Sequence, residues 1–428
     1  MKISNAAALG TTKRARHAIS ILEAGLAAAD PAHIIPRFVR EGAVRAGGAD
    51  IPLDGYDSIC TVAVGKAADA MSRAASRILP VRAGMVVVPR DSKPATRGRR
   101  FMVCRSEHPH PGRDSVAAAK AVLKFLGNRR ENDFVLFLVS GGASSLLALP
   151  DGVTLQDKMH ATQTLLRCGA SIFEVNCVRK HISRIKGGRL PEAMPCAGAS
   201  LIMSDVEGDD PGTIASGLTH MDMTTFGDAL DVISRYDIES RMPPGVVERL
   251  RAGAAGSIPE TPKAAHIPHQ VIANNRICLD AMEARANTLG YSTETAQYYG
   301  DIGEAAASIP GRIREGGCLV FGGEPRVRVA GRGRGGRSQE LVLRAALLLG
   351  VGSLVASMGT DGIDGNTRAA GAMHEGPASD TEMAESCISR NDSHAYFARY
   401  GGLITTGHTG TNLLDIGVAL SGRPAPGA

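Results

Sequence analysis

Tryptophan is absent from this chain of 428 residues, and aromatic residues make up only 4% of it. A ligand cage built from aromatic rings is therefore not expected. Glycine is abundant instead, with 51 residues, which suits tight turns and close approach of the backbone to a ligand. Together these features favour a small, polar ligand.

The sequence also lacks long apolar runs and closely spaced pairs of cysteines. No stretch of about 18 apolar residues could span a bilayer, and the amino terminus has no basic segment followed by an apolar core and a cleavage site. We therefore expect no membrane association and, by default, a cytoplasmic location. The eight cysteines form no Cys-x-x-Cys motif, and in a chain of this length they are expected to be reduced and mostly buried.

The charge balance argues against a nucleic-acid binder. The net charge is only +5, and Lys and Arg are interspersed with Asp and Glu, so no contiguous basic face is expected. Anionic small molecules fit this charge as partners. The length exceeds what one core usually serves, and 43% hydrophobic residues can bury sizeable cores, so two domains are predicted.

The order of apolar and polar segments predicts two α/β domains. Helices are predicted at 15–29 and 36–46, followed by alternating strands and helices to about residue 235, which is typical of a Rossmann-like parallel sheet flanked by helices. A proline- and alanine-rich stretch at 242–268 is the best linker candidate. A second, smaller α/β pattern follows, so we predict domains at 1–255 and 256–428. Strands are predicted at 58–64, 84–88, 100–104, 134–140, 199–204, 269–273, 292–297, 317–321, 326–329, 353–358 and 403–406.

Four of the predicted strands run into a glycine-rich turn that carries Ser, Lys or Asp. The turns contain Lys66, Ser140 to Gly142, Asp205, and Asp361 to Asp364. In an open α/β sheet such turns lie at the carboxyl ends of strands, where helix amino termini bind anions. The pattern therefore predicts a protein that handles phosphate.

Two of these turns have specific chemical interpretations. Lys66 is predicted to lie in the first turn of a helix, where the macrodipole disfavours a cation, so a bound anion is expected to compensate; a solvated lysine is the alternative. Ser140, Gly141, Gly142 and Ser144 offer consecutive N–H groups and hydroxyls for a carboxylate or phosphate. A serine-capped helix start is the alternative for that loop.

Charged residues cluster in two further segments. Arg179 and Lys186 belong to a run of five cations in eleven residues, which usually marks a solvated helix face. Asp205 and Asp209 follow a predicted strand beside glycines and small hydroxyls, a pattern that fits Mg²⁺, although acidic residues that merely cap a helix are an equal alternative.

The segment 331–336 matches Gly-x-Gly-x-x-Gly between the predicted strand 326–329 and a helix, so dinucleotide binding has to be considered. Three arginines decorate the loop, whereas the fingerprint relies on bare backbone, and the motif does not open a chain of βαβ units. We interpret Arg337 instead as a clamp on phosphoryl oxygens, which a planar guanidinium can grip with two N–H groups.

Taken in order, these segments resemble the glycerate 2-kinase family, whose second half is the MOFRL domain. The resemblance runs from about residue 15 to 418, nearly the whole chain. Its matching pieces are 64–68, 107–111, 140–147, 178–190, 204–209, 322–324, 335–340, 359–365 and 409–412.

The resemblance implies ATP- and Mg²⁺-dependent phosphorylation of D-glycerate at its 2-hydroxyl, in a cleft between two α/β domains. It implies catalytic roles for Lys66, Asp205 and Arg337, with Asp205 and Asp209 as the candidate metal ligands. The predicted substrate- and nucleotide-binding residues are Ser140, Gly141, Gly142, Ser144, Arg179, Lys186, Asp209, Glu324, Asp361, Asp364, Thr411 and Asn412.

Two further expectations follow from the resemblance. Members of the family have often carried the label hydroxypyruvate reductase, so an NAD(P)H-dependent reductase is the alternative function. The expected partners are small-molecule substrates, with no nucleic acid and no membrane, and a homodimer is the candidate assembly.

Overall fold

The computed structural model describes residues 3–422, and the chain divides into two compact units. One unit joins residues 3–34 to residues 273–422, and we call it the discontinuous unit. The other runs from Ile35 to Ile272, and we call it the continuous unit. This division differs from the predicted domains 1–255 and 256–428, because the opening helix belongs to the later unit and the boundary falls near 272.

The opening segment contains helices α1 (Ala6–Leu9), α2 (Lys13–Ala28) and α3 (Pro31–Ile34). The side chain of Thr12 caps α2 by accepting a hydrogen bond from the backbone N–H of Ala15 (3.0 Å). The helix predicted at 15–29 is therefore confirmed. No single helix within residues 3–422 is long and apolar enough to cross a membrane; the bent pair Lys13–Ala28 and Pro31–Arg37 meets that test by length and composition alone.

The prediction of a helix at 36–46 is wrong. In its place the chain forms a small antiparallel sheet of β1 (Val39–Arg40), β2 (Ala43–Ala46) and β3 (Ala49–Pro52). Gly42 lies at the first turn with φ +72°, a left-handed conformation that glycine adopts without steric cost. The turn glycines decided the local structure against the helical spacing of the apolar residues.

The continuous unit is built on a six-stranded sheet in the order β6-β5-β4-β7-β8-β9, and the ladders that join β6 through β8 are parallel. This confirms the predicted Rossmann-like α/β pattern. The strands are β4 (Ser58–Val64), β5 (Val81–Pro89), β6 (Phe101–Ser106), β7 (Asp133–Val139), β8 (Ala197–Met203) and β9 (His269–Ala273). The helices are α4 (Ala68–Ser76), α5 (Arg113–Gly127), α6 (Ala143–Leu146), α7 (Leu155–Arg167), α8 (Ile172–His181), α9 (Phe226–Arg235) and α10 (Pro244–Ala254).

The predicted linker at 242–268 is partly a folded element. Helix α10 starts at Pro244, a position where the missing N–H of proline has no intrahelical partner to lose. Val246, Val247 and Leu250 of this helix are buried in the same apolar cluster as Phe226 of α9. The prolines that suggested a linker thus mark a helix start, and the chain remains in the continuous unit until β9.

The discontinuous unit has a mixed six-stranded sheet in the order β10-β11-β15-β12-β13-β14, in which only the β10–β11 pair is parallel. Its strands are β10 (Ser292–Tyr298), β11 (Gly317–Gly323), β12 (Ser353–Gly359), β13 (Gly371–Glu375), β14 (Leu403–Ile404) and β15 (Asp415–Ser421). Its later helices are α11 (Asn275–Thr288), α12 (Ile302–Arg312), α13 (Arg337–Ala346), α14 (Thr381–Ser389) and α15 (Ser393–Tyr400).

Two features of this sheet differ from the predictions. Strand β15 was not predicted, yet it lies between β11 and β12 and pairs with both. The predicted strand at 326–329 is wrong, because Arg326 forms only an isolated bridge to Asp301 and the following residues are irregular.

Close packing of α2 explains why the first residues belong to the discontinuous unit. A Cβ atom placed on Gly25 of α2 would lie 2.8 Å from the Met282 side chain of α11 and 3.2 Å from Cδ1 of Ile416 in β15. The helix therefore lies against α11 and the central strand of the sheet. Glycine at this position permits the short distance.

We expect Gly25→Val to destabilise the chain by about 1–3 kcal/mol, because the added carbons must displace Met282 and Ile416. Gly245→Val is the matched control, since Gly245 is also helical and a Cβ there would meet nothing within 4 Å. Thermal unfolding followed by circular dichroism measures both. Equal stability of the two variants would contradict this account of the packing.

Candidate active site

The turns after β4 and β7 are bonded to each other in the continuous unit. The backbone N–H of Lys66 donates to the carbonyl of Gly141 (2.9 Å), and the N–H of Ser140 donates to the carbonyl of Val64 (2.9 Å). The buried hydroxyl of Ser140 accepts a hydrogen bond from the N–H of Ala67 (3.0 Å). These bonds fix the position of the Lys66 turn relative to the serine-glycine turn.

Two glycines make this close pairing of turns sterically feasible. Gly65 has φ +126°, and a Cβ atom there would lie 2.1 Å from Oγ of Ser140. Gly142 has φ +84°, and a Cβ atom there would lie 3.0 Å from the His108 ring and 3.5 Å from Cγ of Lys66. The Lys66 side chain therefore runs past Gly142, and neither glycine can be replaced without moving a neighbour.

The structure corrects the predicted position of Lys66. Helix α4 begins at Ala68 with Ala67 as its N-cap, so Lys66 precedes the first turn and does not lie in it. Its place is set by the hydrogen bond to Gly141 and by the positive φ of Gly65. The helix-dipole argument for a compensating anion therefore carries less weight than the side chain's position beside Gly142.

The cation run from Arg179 to Arg189 is not the solvated helix face that such runs usually form. Arg184 alone among the five cations is exposed. Lys180 pairs with buried Asp222 (3.2 Å), and Arg189 donates to the carbonyl of Ser183 (2.8 Å). The remaining two, Arg179 and Lys186, lie in a different environment.

Arg179, Lys186 and Lys158 form what we call the cation cluster. Lys158 lies on α7 and is 2% exposed, Arg179 lies on α8, and Lys186 follows α8 and is 1% exposed. No carboxylate within residues 3–422 forms an ion pair with any of the three, and no hydrogen bond from the Lys158 ammonium group occurs there. The cluster is an uncompensated positive charge in a buried place.

The pKa values of the cluster are lowered accordingly. Burial, and then repulsion from Arg179, lowers the pKa of Lys158 to about 7. Burial lowers the pKa of Arg179 to about 10. The pKa of Lys186 falls well below its ordinary value through burial and the positive charges of Lys158 and Arg179. An anion would relieve all three effects.

A hydrogen-bond network joins the cluster to the serine-glycine turn. The hydroxyls of Ser144 and Ser216 are bonded (2.8 Å), Ser216 donates to Oδ1 of Asn176 (3.0 Å), and Arg179 donates weakly to the same oxygen (3.4 Å). The Lys186 ammonium donates to the carbonyl of Ala215 (3.1 Å). Thus Ser144, Arg179 and Lys186, all predicted site residues, are brought together.

The backbone beside this network is strained. Ala215 and Ser216 have φ values of +55° and +57°, and Gly217 continues the left-handed turn with φ +63°. Each non-glycine residue in this conformation costs about 1–2 kcal/mol. Such strain is concentrated at functional sites, and here it presents the Ala215 carbonyl to Lys186 and the Ser216 hydroxyl to Ser144.

Asp205 and Asp209 follow β8 in the same unit, as the sequence predicted. Both are half-buried, and Asp209 has φ +55°. The neighbouring carboxylate of Asp210 is engaged in the turn itself, where it accepts from Gly212 N–H (3.1 Å) and the Thr213 hydroxyl (2.7 Å). Asp210 is therefore a turn-forming residue.

The carboxylates of Asp205 and Asp209 can be compared with the ligands that Mg²⁺ requires. Within residues 3–422 no group of three or more His, Cys, Asp or Glu side chains could hold a metal ion. Mg²⁺ typically takes one or two protein carboxylates and fills its other positions with water and substrate phosphate. The hard oxygen donors of Asp205 and Asp209 fit that requirement.

In the discontinuous unit, Arg337 is the first residue of α13 and is held by two carboxylates. Its Nε and Nη2 donate to Asp415 (2.5 and 3.2 Å), and its Nη1 donates to Glu324. Burial alone would lower the pKa of Arg337, but the charges and hydrogen bonds of Asp415 and Glu324 raise it. Asp415 was missed by the sequence analysis because it begins the unpredicted strand β15.

The other predicted site residues of this unit have mainly turn-forming contacts. Asp364 caps α13 by accepting from the N–H groups of Ser338 (3.0 Å) and Gln339 (2.8 Å), and burial and the charge of Asp415 raise its pKa to about 7. Asp361 accepts from the N–H of Ile363 (3.0 Å). Thr411 and Asn412 are buried, and the Thr411 hydroxyl has no hydrogen-bond partner within residues 3–422. Their predicted contacts with ligand stay predictions.

The glycine fingerprint at 331–336 does not have the structure of a dinucleotide site. The residues immediately before it are not a strand, and four of its six backbone N–H groups are already bonded to other residues of the chain. Gly331 N–H donates to Oδ1 of Asn391 (2.9 Å), Gly333 N–H donates to the Arg390 carbonyl (3.1 Å), and Arg334 N–H donates to Oδ1 of Asp392 (2.9 Å). These N–H groups are therefore not available to bind a pyrophosphate.

Comparison with known proteins identifies the family. Residues 17–251 match the model of the domain of unknown function DUF4147, and residues 317–415 match the MOFRL family. A protein of Pyrococcus horikoshii named glycerate 2-kinase is 37% identical over 384 residues, covering 85% of this chain and 87% of its own. The chain belongs to the glycerate kinase family.

Two further comparisons place the chain within the family. The solved glycerate kinase of Thermotoga maritima superposes with a TM-score of 0.79 at 33% identity, covering 94% of this chain and 97% of its own. A relative from Agrobacterium vitis, 37% identical over 391 residues and covering 84% of this chain and 86% of its own, bears the provisional name hydroxypyruvate reductase. The predicted family and two-part α/β fold are confirmed.

Sequence reasoning missed three residues of the network and the cluster in this family member. Lys158 lies in the ordinary polar pattern of an amphipathic helix, and Asn176 and Ser216 are uncharged residues outside the segments that the sequence analysis singled out. Burial of an unpaired lysine has no signature in the sequence. Only the packing of α7 beside α8 brings Lys158 to Arg179.

We expect Lys158→Met to raise the apparent Tm of the ligand-free protein near pH 7 by a few degrees, about 2–4 °C per kcal/mol gained. Between pH about 7 and 10.5 the unfolded chain binds the Lys158 proton and the folded chain does not, so the wild type gains stability as pH rises through this range. The advantage of the variant should therefore shrink towards pH 10.

Thermal unfolding at several pH values measures this difference, with Lys120→Met as the control because Lys120 is exposed on α5. A variant that is less stable than the wild type near pH 7 would show that Lys158 has a partner that supports the fold.

Proposed function

We infer that this chain is an ATP-dependent D-glycerate 2-kinase, which transfers the γ-phosphoryl group of ATP to the 2-hydroxyl of D-glycerate and releases ADP and 2-phosphoglycerate. The single observation that carries the inference is the 37% identity to the protein named glycerate 2-kinase over 85% of the chain. The cation cluster, the Lys66 turn and the two carboxylates that follow β8, Asp205 and Asp209, provide groups suited to this chemistry.

Phosphoryl transfer requires positioning and charge stabilisation more than covalent chemistry by the protein. A bond forms between the 2-hydroxyl oxygen and the γ-phosphorus, the bond from that phosphorus to the bridging oxygen of ADP breaks, and the hydroxyl proton leaves. In our proposal Asp205 accepts that proton, and the Lys66 ammonium stabilises charge on the transferring oxygens.

Arg337 is suited to hold phosphoryl oxygens because its orientation is fixed beforehand. Three of its five N–H donors are engaged by Asp415 and Glu324, which leaves two for a ligand. In our proposal the two carboxylates position the guanidinium, and Glu324 acts through Arg337. The expected active site in a cleft between two domains stays a prediction.

Mg²⁺ is proposed as the partner of ATP, with Asp205 and Asp209 as its protein ligands. When bound, a divalent ion neutralises charge on phosphate oxygens and orients them. If Asp205 holds the ion, its role as proton acceptor passes to another group, and the two assignments are alternatives. The homodimer and the cytoplasmic location also stay predictions.

The reductase alternative finds no support in the discontinuous unit. The N–H groups of the loop at 331–334 that a pyrophosphate would need are bonded to residues 390–392. The relative from Agrobacterium vitis with the provisional reductase name is 37% identical to this chain, and the relative named glycerate 2-kinase has the same identity. We therefore do not propose a reductase.

We expect the purified protein to release ADP from ATP only when D-glycerate is present, because phosphoryl transfer needs the acceptor hydroxyl. A coupled assay of ADP release, with the product separated into 2- and 3-phosphoglycerate, measures this. Oxidation of NADH or NADPH by hydroxypyruvate without ATP is the parallel assay. Exclusive formation of 3-phosphoglycerate, or NAD(P)H oxidation without kinase activity, would refute the proposal.

Lys66→Met should lower kcat by on the order of 10²–10³, as loss of a preorganised charge stabiliser does. The apparent Tm should change little, since the Lys66 turn is held by backbone bonds that the variant retains. Lys120→Met, which removes an exposed lysine, is the control and should keep wild-type kinetics. Full activity of Lys66→Met would remove this residue from the mechanism.

A further inference from the structure

The cation cluster carries more positive charge than a stable fold requires. Burying an unpaired ion is energetically costly even after the protein relaxes, so structural clusters normally balance their charges. Lys180 shows the ordinary solution a few residues away, because its ammonium pairs with buried Asp222 at 3.2 Å. Within residues 3–422 Lys158, Arg179 and Lys186 have no such carboxylate.

The three cations are held differently, and the difference shows where a ligand would bind. The Lys186 ammonium donates to the carbonyls of Ala215 (3.1 Å) and Ala143 (3.5 Å). The Arg179 guanidinium makes one weak hydrogen bond, to Asn176 (3.4 Å), and the Lys158 ammonium makes none within the described residues. Donors therefore remain on Arg179 and Lys158, with Lys186 fixed beside them.

The surrounding structure is built to keep this geometry. The left-handed turn through Ala215 and Ser216 holds the carbonyl that anchors Lys186 and the hydroxyl that bonds Ser144. Asn176 receives hydrogen bonds from Ser216 and Arg179 at one oxygen. Strained backbone and uncompensated positive charge at one place are features expected of an anion-binding site.

We propose that Lys158, Arg179 and Lys186 form the subsite that binds the carboxylate of the hydroxy-acid substrate. The inference rests on the proposed function and specifies which end of the substrate the cluster takes. A planar guanidinium can grip a carboxylate with two N–H groups, and two ammonium groups complete its hydrogen bonding. A single carboxylate is small enough for side chains as buried as Lys158 and Lys186, whereas a triphosphate carries a hydrated divalent ion.

Steady-state kinetics of Lys158→Met tests the assignment. Loss of a hydrogen bond to a charged group should raise KM for D-glycerate by about 10- to 100-fold, with KM for ATP unchanged. Lys158→Arg retains the charge and should recover most of the loss, and Lys120→Met should behave as the wild type. The variant should also be at least as stable as the wild type, which a structural lysine would not allow.

Three results would overturn the inference. A raised KM for ATP with an unchanged KM for D-glycerate would assign the cluster to the nucleotide's phosphates. Unchanged values for both substrates would make it structural. If Lys158→Met does not fold, the kinetics of Lys158→Arg test the assignment instead. A changed KM for ATP with an unchanged KM for D-glycerate in that variant would also show that the cluster does not bind the substrate carboxylate.

Thermal shift with D-glycerate alone separates this inference from the proposed function. The wild type should be stabilised by D-glycerate without ATP, and Lys158→Met should lose that stabilisation. If the wild type releases no ADP but shows the D-glycerate shift that the variant loses, the kinase proposal fails and the subsite stands. If the wild type is an active kinase and the variant retains its shift, the subsite fails alone.

Discussion

Burial of positive charge without a balancing carboxylate is the constraint around which the continuous unit is organised. Lys158 and Lys186 are almost completely enclosed and lie close enough to Arg179 for mutual repulsion to lower their pKa values. An apolar sheet has to supply the stability that this arrangement costs. Strands β4, β7 and β8 do so, since nearly every residue in them is buried.

In the discontinuous unit the principal cation, Arg337, is balanced by carboxylates. Arg337 is neutralised and oriented by Asp415 and Glu324, and its pKa is raised, whereas the cluster cations have lowered pKa values and no carboxylate partner within the described residues. The ion pairs of Arg337 fix the orientation of its guanidinium group. The cation cluster has no balancing carboxylate among the described residues, so it attracts anions strongly. In the chemistry proposed for this chain, the discontinuous unit therefore supplies an oriented cation and the continuous unit supplies uncompensated positive charge.

Much of the continuous unit could be predicted from local pattern. The strand at 58–64 was predicted with the bounds observed, because a continuous apolar run that ends at a glycine is typical of a buried parallel strand. The strand at 269–273 also has its predicted bounds, although it begins with two polar residues and only its last two residues are buried. The errors have separate local causes. At 36–46 turn glycines outweighed the helical spacing of apolar residues. In the supposed linker the prolines mark the start of a helix. At 326–329 the backbone forms only an isolated bridge, and the carbonyl of Arg328 accepts from the Asn391 side chain.

The sequence alone determined the family, the alternation of strands and helices, and the turns that carry Lys66, Ser140 and Asp205, since these depend on residues that are neighbours in the chain. Only the tertiary structure decided that the first helix completes the later unit, that β15 lies at the centre of its sheet, and that Lys158 joins Arg179 and Lys186. Charge repulsion and burial depend on distances through space, and a linear pattern does not contain them.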